Sequence, residues 1–242
     1  MSLYLAIDTA TDLGSVAVGE PGRTVAEVLF TERRHASVLT PAIQEVLRLA
    51  GATPEDLTGI LFAEGPGSFT GLRIGLATAK GIMAARDALE LYTAPSLLSA
   101  AWAGTKFVQG PVAALYDAYR GDVFGAVYEG RDGSIETLVA PVCCPLADLV
   151  QRSPVTPVVA VGDGAVLYAD AVASWTGRAP IGPPAGSPRA GALLELMAMR
   201  GIVGLVEDPD AFEPTYGRYA AAQDRWEAAH GRQLPDSPGH RS

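Results

Sequence analysis

One glycine-rich run constrains the fold of this chain more than any other segment. Residues 65–81 read Gly-Pro-Gly-Ser-Phe-Thr-Gly-Leu-Arg-Ile-Gly-Leu-Ala-Thr-Ala-Lys-Gly, and they follow a strand-like stretch, Leu57–Ala63. A strand, a glycine turn and a helix in this order predict an α/β fold. The backbone N–H groups that open such a helix have no intrahelical partner, and the helix dipole favours an anion there. The run therefore predicts either an anion site or a place of close packing.

The helix within this run carries two apolar stripes. One stripe consists of Leu72, Leu76, Ala79 and Met83, and the other consists of Ile74, Ala77, Gly81 and Ala85. A helix on the surface of a globular lobe needs only one apolar stripe, which faces the core. Two stripes predict a helix that is covered on both sides, by its own core and by another protein.

Composition limits the remaining possibilities. The chain has 242 residues, 48% of them apolar, with a net charge of −9. An acidic chain without a Lys/Arg run is not expected to bind nucleic acid unaided. The only cysteines, Cys143 and Cys144, are adjacent and predict no disulfide framework. The first eight residues lack signal-peptide features and no apolar run reaches membrane-spanning length, so we expect a cytoplasmic protein without membrane contact.

The order of predicted elements occurs twice along the chain. Residues 3–18 and 112–128 each read as a strand, an aspartate, a polar turn and a second strand. Residues 57–81 and 158–175 each read as a strand, a glycine turn and a helix. This repeat predicts a duplicated, two-lobed α/β fold of the kind seen in actin-like ATPases and sugar kinases.

The repeat also sets the expected domain boundaries. We expect a first lobe over residues 1–105, a second over residues 106–222 and a flexible tail over residues 223–242. A last helix is predicted from Ala190 to Gly204, and packing of this helix back on the first lobe is left open.

A second surface helix is predicted before the glycine run. It fits Pro41 to Ala50, with Thr40 as N-cap and Pro41 as the first helical residue, and Ser37 is a competing start. Its apolar residues again cover more than a narrow stripe. They include Leu39, Ile43, Val46 and Leu47.

The first hairpin tip is the strongest candidate for a phosphate contact. In the two-lobed ATPase architecture both tips face a nucleotide, so both should be small and polar. Asp8, Thr9 and Thr11 could hold a metal-bound phosphate, or simply close the turn by hydrogen bonds to the backbone. The second tip, Ala118-Tyr119-Arg120, is too bulky. With only one of the two hairpin tips suited to contact phosphate, the sequence predicts weak ATP or ADP binding or none.

No catalytic or metal constellation follows from the spacing. His35, His230 and His240 do not stand at metal-ligand spacing on one element. Ser68 does not lie in a nucleophile elbow and is better explained as the cap of the following helix. The turn glycines, Gly65, Gly67 and Gly71, are better explained by backbone freedom and close packing.

Seven segments of the chain are distinctive when taken together: Ile7-Asp8-Thr9-Ala10-Thr11, Arg34-His35-Ala36-Ser37 with Leu39 and Pro41, residues 65–81, Pro95-Ser96-Leu97, Asp117 with Arg120 and Gly121, Gly162-Asp163-Gly164, and Glu213-Pro214-Thr215-Tyr216-Gly217-Arg218. In this order, over about residues 3 to 219, they resemble the TsaB (YeaZ) family of bacterial tRNA threonylcarbamoyladenosine biosynthesis proteins. Residues 65–81 are the most specific of these.

The resemblance implies a non-catalytic scaffold with no cofactor and no metal of its own. Family members are inactive paralogues of TsaD, the transferase that places a threonylcarbamoyl group on the adenosine beside the anticodon. They bind TsaD through a bundle of the first two helices of each protein, and the ATPase TsaE joins them. Transfer RNA is reached only through the complex, and ATP or ADP binding belongs more to the complex than to this chain alone. The two helices match residues 37–50 and 70–86 here.

The resemblance assigns the partner interface to nine residues of these helices. They are Leu39, Ile43, Val46, Leu47, Arg73, Leu76, Ala79, Lys80 and Met83. Arg73 and Lys80 are expected to pair with carboxylates of the partner or to be solvated. Without TsaD, the same helices are expected to pair with a second copy of the chain.

Three points remain outside this interpretation. The family usually has Glu after the serine that follows the histidine, whereas Val38 follows Ser37 here. The tail beyond Tyr219 matches nothing in the family pattern. The alternative function is an enzyme of the same fold, a glycoprotease-type peptidase or a small-molecule kinase.

Overall fold

The computed structural model describes residues 2–31, 35–86, 88–106, 108–131 and 134–217. Ten strands are named in these residues: β1 Leu3–Asp8, β2 Leu13–Glu20, β3 Arg23–Thr31, β4 Leu57–Ala63, β5 Glu90–Ala94, β6 Val112–Asp117, β7 Asp122–Arg131, β8 Ser134–Pro145, β9 Val159–Val161 and β10 Gly204–Leu205. Seven α-helices accompany them: α1 His35–Ala50, α2 Phe69–Ala84, α3 Ser96–Thr105, α4 Leu146–Arg152, α5 Asp163–Leu167, α6 Ala169–Thr176 and α7 Ala190–Met197.

The first sheet has six strands in the order β10-β5-β4-β1-β2-β3. Strands β1, β2 and β3 form an antiparallel meander, while β4 runs parallel to β1 and β5 parallel to β4. Side chains on both faces of β1 are buried, because Leu5 and Ile7 lie in the main core and Tyr4 and Ala6 pack in a cluster with α7. The first sheet is therefore covered by helices on both faces.

The second sheet repeats this arrangement with four strands in the order β8-β7-β6-β9. An antiparallel meander, β6-β7-β8, is again followed by a strand, β9, that runs parallel to the first strand of the meander. The chain thus has the duplicated, two-lobed α/β fold of the actin-like ATPase and sugar-kinase type.

One hydrophobic core joins the two sheets. It contains Leu5 and Phe62 from the first sheet, Leu97 from α3, and Tyr116 and Phe124 from the second sheet. Helix α3 contacts β6, β7 and β9 of the second sheet as well as α7. The lobes are therefore packed through α3 rather than joined only by a linker.

The end of the described chain returns to the first sheet. Helix α7 packs against β1, β2 and β3, and β10 pairs with β5. The open question of where the last helix packs is thereby answered. The division into residues 1–105, 106–222 and a tail stays a prediction, and residues 218–242 lie outside the described residues.

Several predicted boundaries are wrong. Helix α1 begins at His35, so Pro41 lies inside the helix and Thr40 is not its cap. The single helix predicted at the end of residues 158–175 is two helices, separated at Tyr168. Helix α7 ends at Met197 rather than at Gly204. Strand β8 and helix α4 are not anticipated from the sequence.

Within the described ranges, no helix combines the length and apolar character needed to cross a bilayer.

Candidate functional site: helix α2 and the first hairpin tip

Helix α2 begins where the sequence predicts and is capped as predicted. The Gly71 amide donates a hydrogen bond to the Ser68 hydroxyl over 3.2 Å. The Ser68 amide donates to the carbonyl oxygen of Ala10 in the first hairpin tip over 2.7 Å. One of the N–H groups that the glycine turn offers to an anion is therefore bound to this chain's own backbone.

The turn glycines are explained by close packing. A Cβ at Gly67 would overlap the carbonyl oxygen of Ala10, and a Cβ at Gly71 would overlap that of Thr9. At Gly65, where φ is +109°, it would overlap the carbonyl oxygen of Thr215. The close-packing interpretation of these three glycines is confirmed, because larger residues would push backbone segments apart.

The polar groups of the first hairpin tip bond within the chain. The Thr9 hydroxyl donates to the carbonyl oxygen of Gly71 over 2.8 Å, and the Thr11 hydroxyl donates to that of Leu13 over 3.0 Å. The Asp8 carboxylate accepts from the Ala10 amide at 3.1 Å and from the Ser99 hydroxyl at 3.0 Å. These bonds tie the tip to α2 and α3.

Asp8 is fully buried, and its electrostatics reflect this. Burial raises the pKa of the Asp8 carboxyl from 3.8 to about 6, although the hydrogen bonds from Ala10 and Ser99 lower it in part. Near pH 6 the folded chain therefore holds this carboxyl half protonated.

A cavity of about 350 Å³ lies beside the first hairpin tip. It is lined by Thr11, Asp12, Leu13, Thr31, Asp163, Pro183, Ser187 and Pro188. Asp163 belongs to the second lobe, where its carboxylate accepts from the amides of Gly164 and Asp117. Burial raises the pKa of Asp163. Asp8 and Thr9 are not among the residues that line this cavity.

The second hairpin tip is as bulky as predicted. Tyr119 is 67% exposed, and both Tyr119 and Arg120 have φ near +60°. Nucleotide contacts by Asp8, Thr9, Thr11, Gly65, Gly67 or Ser68 stay a prediction. No group of three or more His, Cys, Asp or Glu side chains is placed to hold a metal ion in the part of the chain that the structure describes.

Six of the nine predicted interface residues are buried in this chain's own core. They are Leu39, Ile43, Val46, Leu47, Leu76 and Ala79. Burial leaves these side chains little surface to offer a partner, and their part in an interface stays a prediction. Both helices carry the predicted apolar residues, but these six residues face the main hydrophobic core.

The other three predicted interface residues also contact the chain itself. The Lys80 ammonium donates to the carbonyl oxygens of Asp210 and Phe212, and the Arg73 guanidinium donates to the Tyr216 hydroxyl. Met83 is half-buried and packs against the main core. Arg34, Arg218 and the side chains of His35 and Ala36 lie outside the described residues.

Three of the four residues in the second apolar stripe of α2 are exposed, and the fourth, Ile74, packs in part against the main core. We define this second stripe as the open stripe, Ile74, Ala77, Gly81 and Ala85. Ala77, Gly81 and Ala85 are exposed and Ile74 is half-buried, and a Cβ at Gly81 would meet no atom within 4 Å. The sequence pattern of two apolar stripes includes these exposed residues. The predicted interface residues of α2 lie outside the open stripe.

Comparisons with known proteins agree with this architecture. The TsaD family model, tRNA N6-adenosine threonylcarbamoyltransferase, matches residues 29–166. The tRNA threonylcarbamoyladenosine biosynthesis protein TsaB of Bacillus subtilis (strain 168) is 30% identical over 227 residues, which cover 92% of this chain and 96% of that protein. TsaB of Escherichia coli (strain K12) is 33% identical over 131 residues, 54% of this chain and 57% of that protein.

The solved structure of YeaZ from Pseudomonas aeruginosa aligns with a TM-score of 0.65 at 26% identity, over 81% of this chain and 91% of that one. The two-lobed fold, the packed glycine run and the near-complete coverage of the Bacillus relative lead to one assignment. This chain belongs to the TsaB family.

Proposed function

We propose that this chain acts in tRNA threonylcarbamoyladenosine biosynthesis as a non-catalytic subunit that binds the transferase TsaD. The family relatives carry the name of this biosynthesis, which supports the pathway. The observation that carries the binding role is the open stripe of α2. At Ala77, Gly81 and Ala85 it is a helix surface of small residues that the described part of the chain leaves exposed.

The open stripe is suited to a second helix. Ala77 and Gly81 lie four residues apart and therefore on one face of α2. Because the interaxial distance of packed helices depends on the side chains at the contact, these small residues favour close approach. At Leu49 of the neighbouring α1, a large apolar side chain is 52% exposed, which adds to the apolar surface of this helix pair.

TsaD is the occupant that the similarity favours. The TsaD family model matches residues 29–166, a range that contains both α1 and α2. Related proteins carry related surfaces, so the two can pair through equivalent helices about an approximate twofold axis. TsaE would join this pair, and tRNA would be reached through the complex because this chain is acidic.

The hydrogen bonds at the first hairpin tip favour a non-catalytic role. The Thr9 and Thr11 hydroxyls and the Ser68 amide already bond to carbonyl oxygens of the chain. A phosphate would have to displace these bonds to use the same groups. We therefore propose no cofactor for the chain alone, with weak ATP or ADP binding at the complex.

The test is binding of the cognate TsaD to an Ala77→Glu variant. A carboxylate at the centre of an apolar helix contact would be buried without a partner. We expect a loss of affinity of roughly 100-fold, about 3 kcal/mol, by calorimetry with purified proteins. The unfolding midpoint of the monomer, measured at a concentration below that of self-association, should stay unchanged because Ala77 is exposed. Ala171→Glu, at an exposed alanine of α6, is the matched control and should bind as wild type.

Two outcomes would contradict the proposal. If wild-type chain and TsaD do not associate on co-expression, the scaffold role is wrong. If Ala77→Glu binds TsaD normally, the docking face lies elsewhere.

In the absence of TsaD we expect a second copy to cover the same stripe, so Ala77→Glu should also shift the measured mass from dimer to monomer.

A further inference from the structure

A third flank of helix α2, between the buried and the open side, is covered by the end of the described chain. We define the C-terminal strap as residues 204–217. The Lys80 ammonium donates to the carbonyl oxygens of Asp210 and Phe212 over 2.9 and 3.1 Å. One helical face carries both Lys80 and Arg73, which are seven residues apart. The strap therefore runs along α2 for two turns.

The second anchor of the strap is aromatic. The Arg73 guanidinium lies 4.3 Å from the centre of the Phe69 ring and donates to the Tyr216 hydroxyl over 3.2 Å. The Phe69 and Tyr216 rings are 4.5 Å apart. Glu213 accepts from the Tyr216 hydroxyl at 3.1 Å and completes a small network. This cluster fixes the N-terminal end of α2 to the strap.

The strap is also tied to both sheets. Strand β10 pairs with β5, and the Val206 amide donates to the carbonyl oxygen of Leu91 over 2.8 Å. The Thr215 amide donates to the carbonyl oxygen of Glu64, just before the glycine turn, over 2.8 Å. Gly217 lies so close to Phe124 of the second sheet that a Cβ there would be 2.9 Å from its ring. One segment thus contacts β5, α2 and the second lobe.

We infer that the strap holds α2 in the position at which its open stripe can dock, with Lys80 and Arg73 as positioning residues. This inference rests on the proposed function. Lys80 and Arg73 act on the partner through the strap and not by direct contact. A partner helix binds the open stripe in one register only when α2 is fixed against both lobes. Rows of side chains on one helix fit into grooves on the other, and a small displacement of α2 would disturb this fit.

The experiment compares Lys80→Ala with Lys80→Arg in the full chain. Hydrogen–deuterium exchange reports the protection of residues 204–217 and 69–84, and calorimetry reports TsaD affinity. We expect Lys80→Ala to speed exchange in both segments by roughly tenfold and to weaken TsaD binding by roughly fivefold. Lys80→Arg retains N–H donors and should restore both. Arg152→Ala, an exposed cation of α4, should change neither.

The outcomes separate this inference from the proposed function. If Lys80→Ala frees the strap while TsaD affinity stays at the wild-type value, the positioning role is wrong and the proposed function stands. If wild-type chain does not bind TsaD, the proposed function fails, and the inferred docking role fails with it. Hydrogen–deuterium exchange in α2 of Lys80→Ala still tests whether the strap positions this helix. If exchange becomes faster in residues 204–217 but not in residues 69–84, the strap does not position α2.

Discussion

The buried and open stripes of α2 differ in what they contact, although they look alike in sequence. The buried stripe, which we define as Gly71, Leu72, Gly75, Leu76 and Ala79, lies on the first hairpin tip and the main core. In the open stripe only Ile74 packs against this core, and Ala77, Gly81 and Ala85 are exposed. Gly71 and Gly81 show the contrast most clearly. A Cβ at Gly71 would overlap the backbone of Thr9, and one at Gly81 would meet nothing within 4 Å. An apolar pattern thus identifies a helix with two faces but not which face a partner takes.

The largest effect is expected from adding a methyl group on the buried stripe. Gly71→Ala would force α2 away from the carbonyl oxygen of Thr9, which is backbone and cannot rotate aside. We expect a loss of at least about 3 kcal/mol in the free energy of unfolding, measured by urea denaturation. Wild-type stability for Gly71→Ala would show that the hairpin tip and α2 are not in contact, and the contrast between the stripes would fail.

The architecture could be predicted because its signals are local. The Asp-containing hairpins, the strand before each glycine turn and the Ser68 cap are all read from neighbouring residues, and the structure confirms them. The interface residues could not be predicted in this way. Leu39 and Leu76 are buried by contacts between segments distant in sequence, and both stripes have similar composition.

The strap contacts could not be predicted from the sequence either. The spacing of Arg73 and Lys80 predicts contacts with a partner's carboxylates or with solvent, and it does not indicate their acceptors within the chain, which lie 143 and 130 residues later. Lys80 bonds to backbone carbonyl oxygens, which carry no sequence signal of their own. Likewise Pro41 is a good first residue of a helix, yet α1 extends before it. Tertiary packing overrides such local preferences.

The next effect concerns Asp8, which is fully buried in the first hairpin tip next to Thr9, the residue that contacts Gly71 of the buried stripe. An aspartate with an ordinary pKa of 3.8 that rises to about 6 in the folded chain keeps its proton over a range where the unfolded chain has lost it. The contribution of Asp8 to the free energy of unfolding should therefore fall as pH rises from about 4 to about 6, by up to about 3 kcal/mol, and stay level above that range.

Asp8→Asn should remove this fall and raise stability near pH 7. The amide oxygen can still accept from Ala10, and the amide nitrogen can donate to the Ser99 hydroxyl. Unfolding midpoints measured from pH 4 to 8 test this expectation. Asp56→Asn is the control, because Asp56 is exposed and hydrogen bonds from Thr53 lower its pKa. Its stability contribution should therefore be lost as pH falls. A wild-type pH profile in Asp8→Asn would mean that Asp8 is solvated.

The smallest effect, of opposite sign to the first, is expected on the open stripe. Gly81→Ala adds a methyl group where space is free and replaces a poor helix former with the best one. We expect it to stabilise the chain by about 1 kcal/mol in urea denaturation, because the unfolded state loses conformational freedom. The reverse change one turn earlier, Ala77→Gly, should destabilise by a similar amount. If Gly81→Ala destabilised the isolated monomer instead, some part of this chain would already cover the stripe. The surface assigned to TsaD would then not be free to receive a second helix.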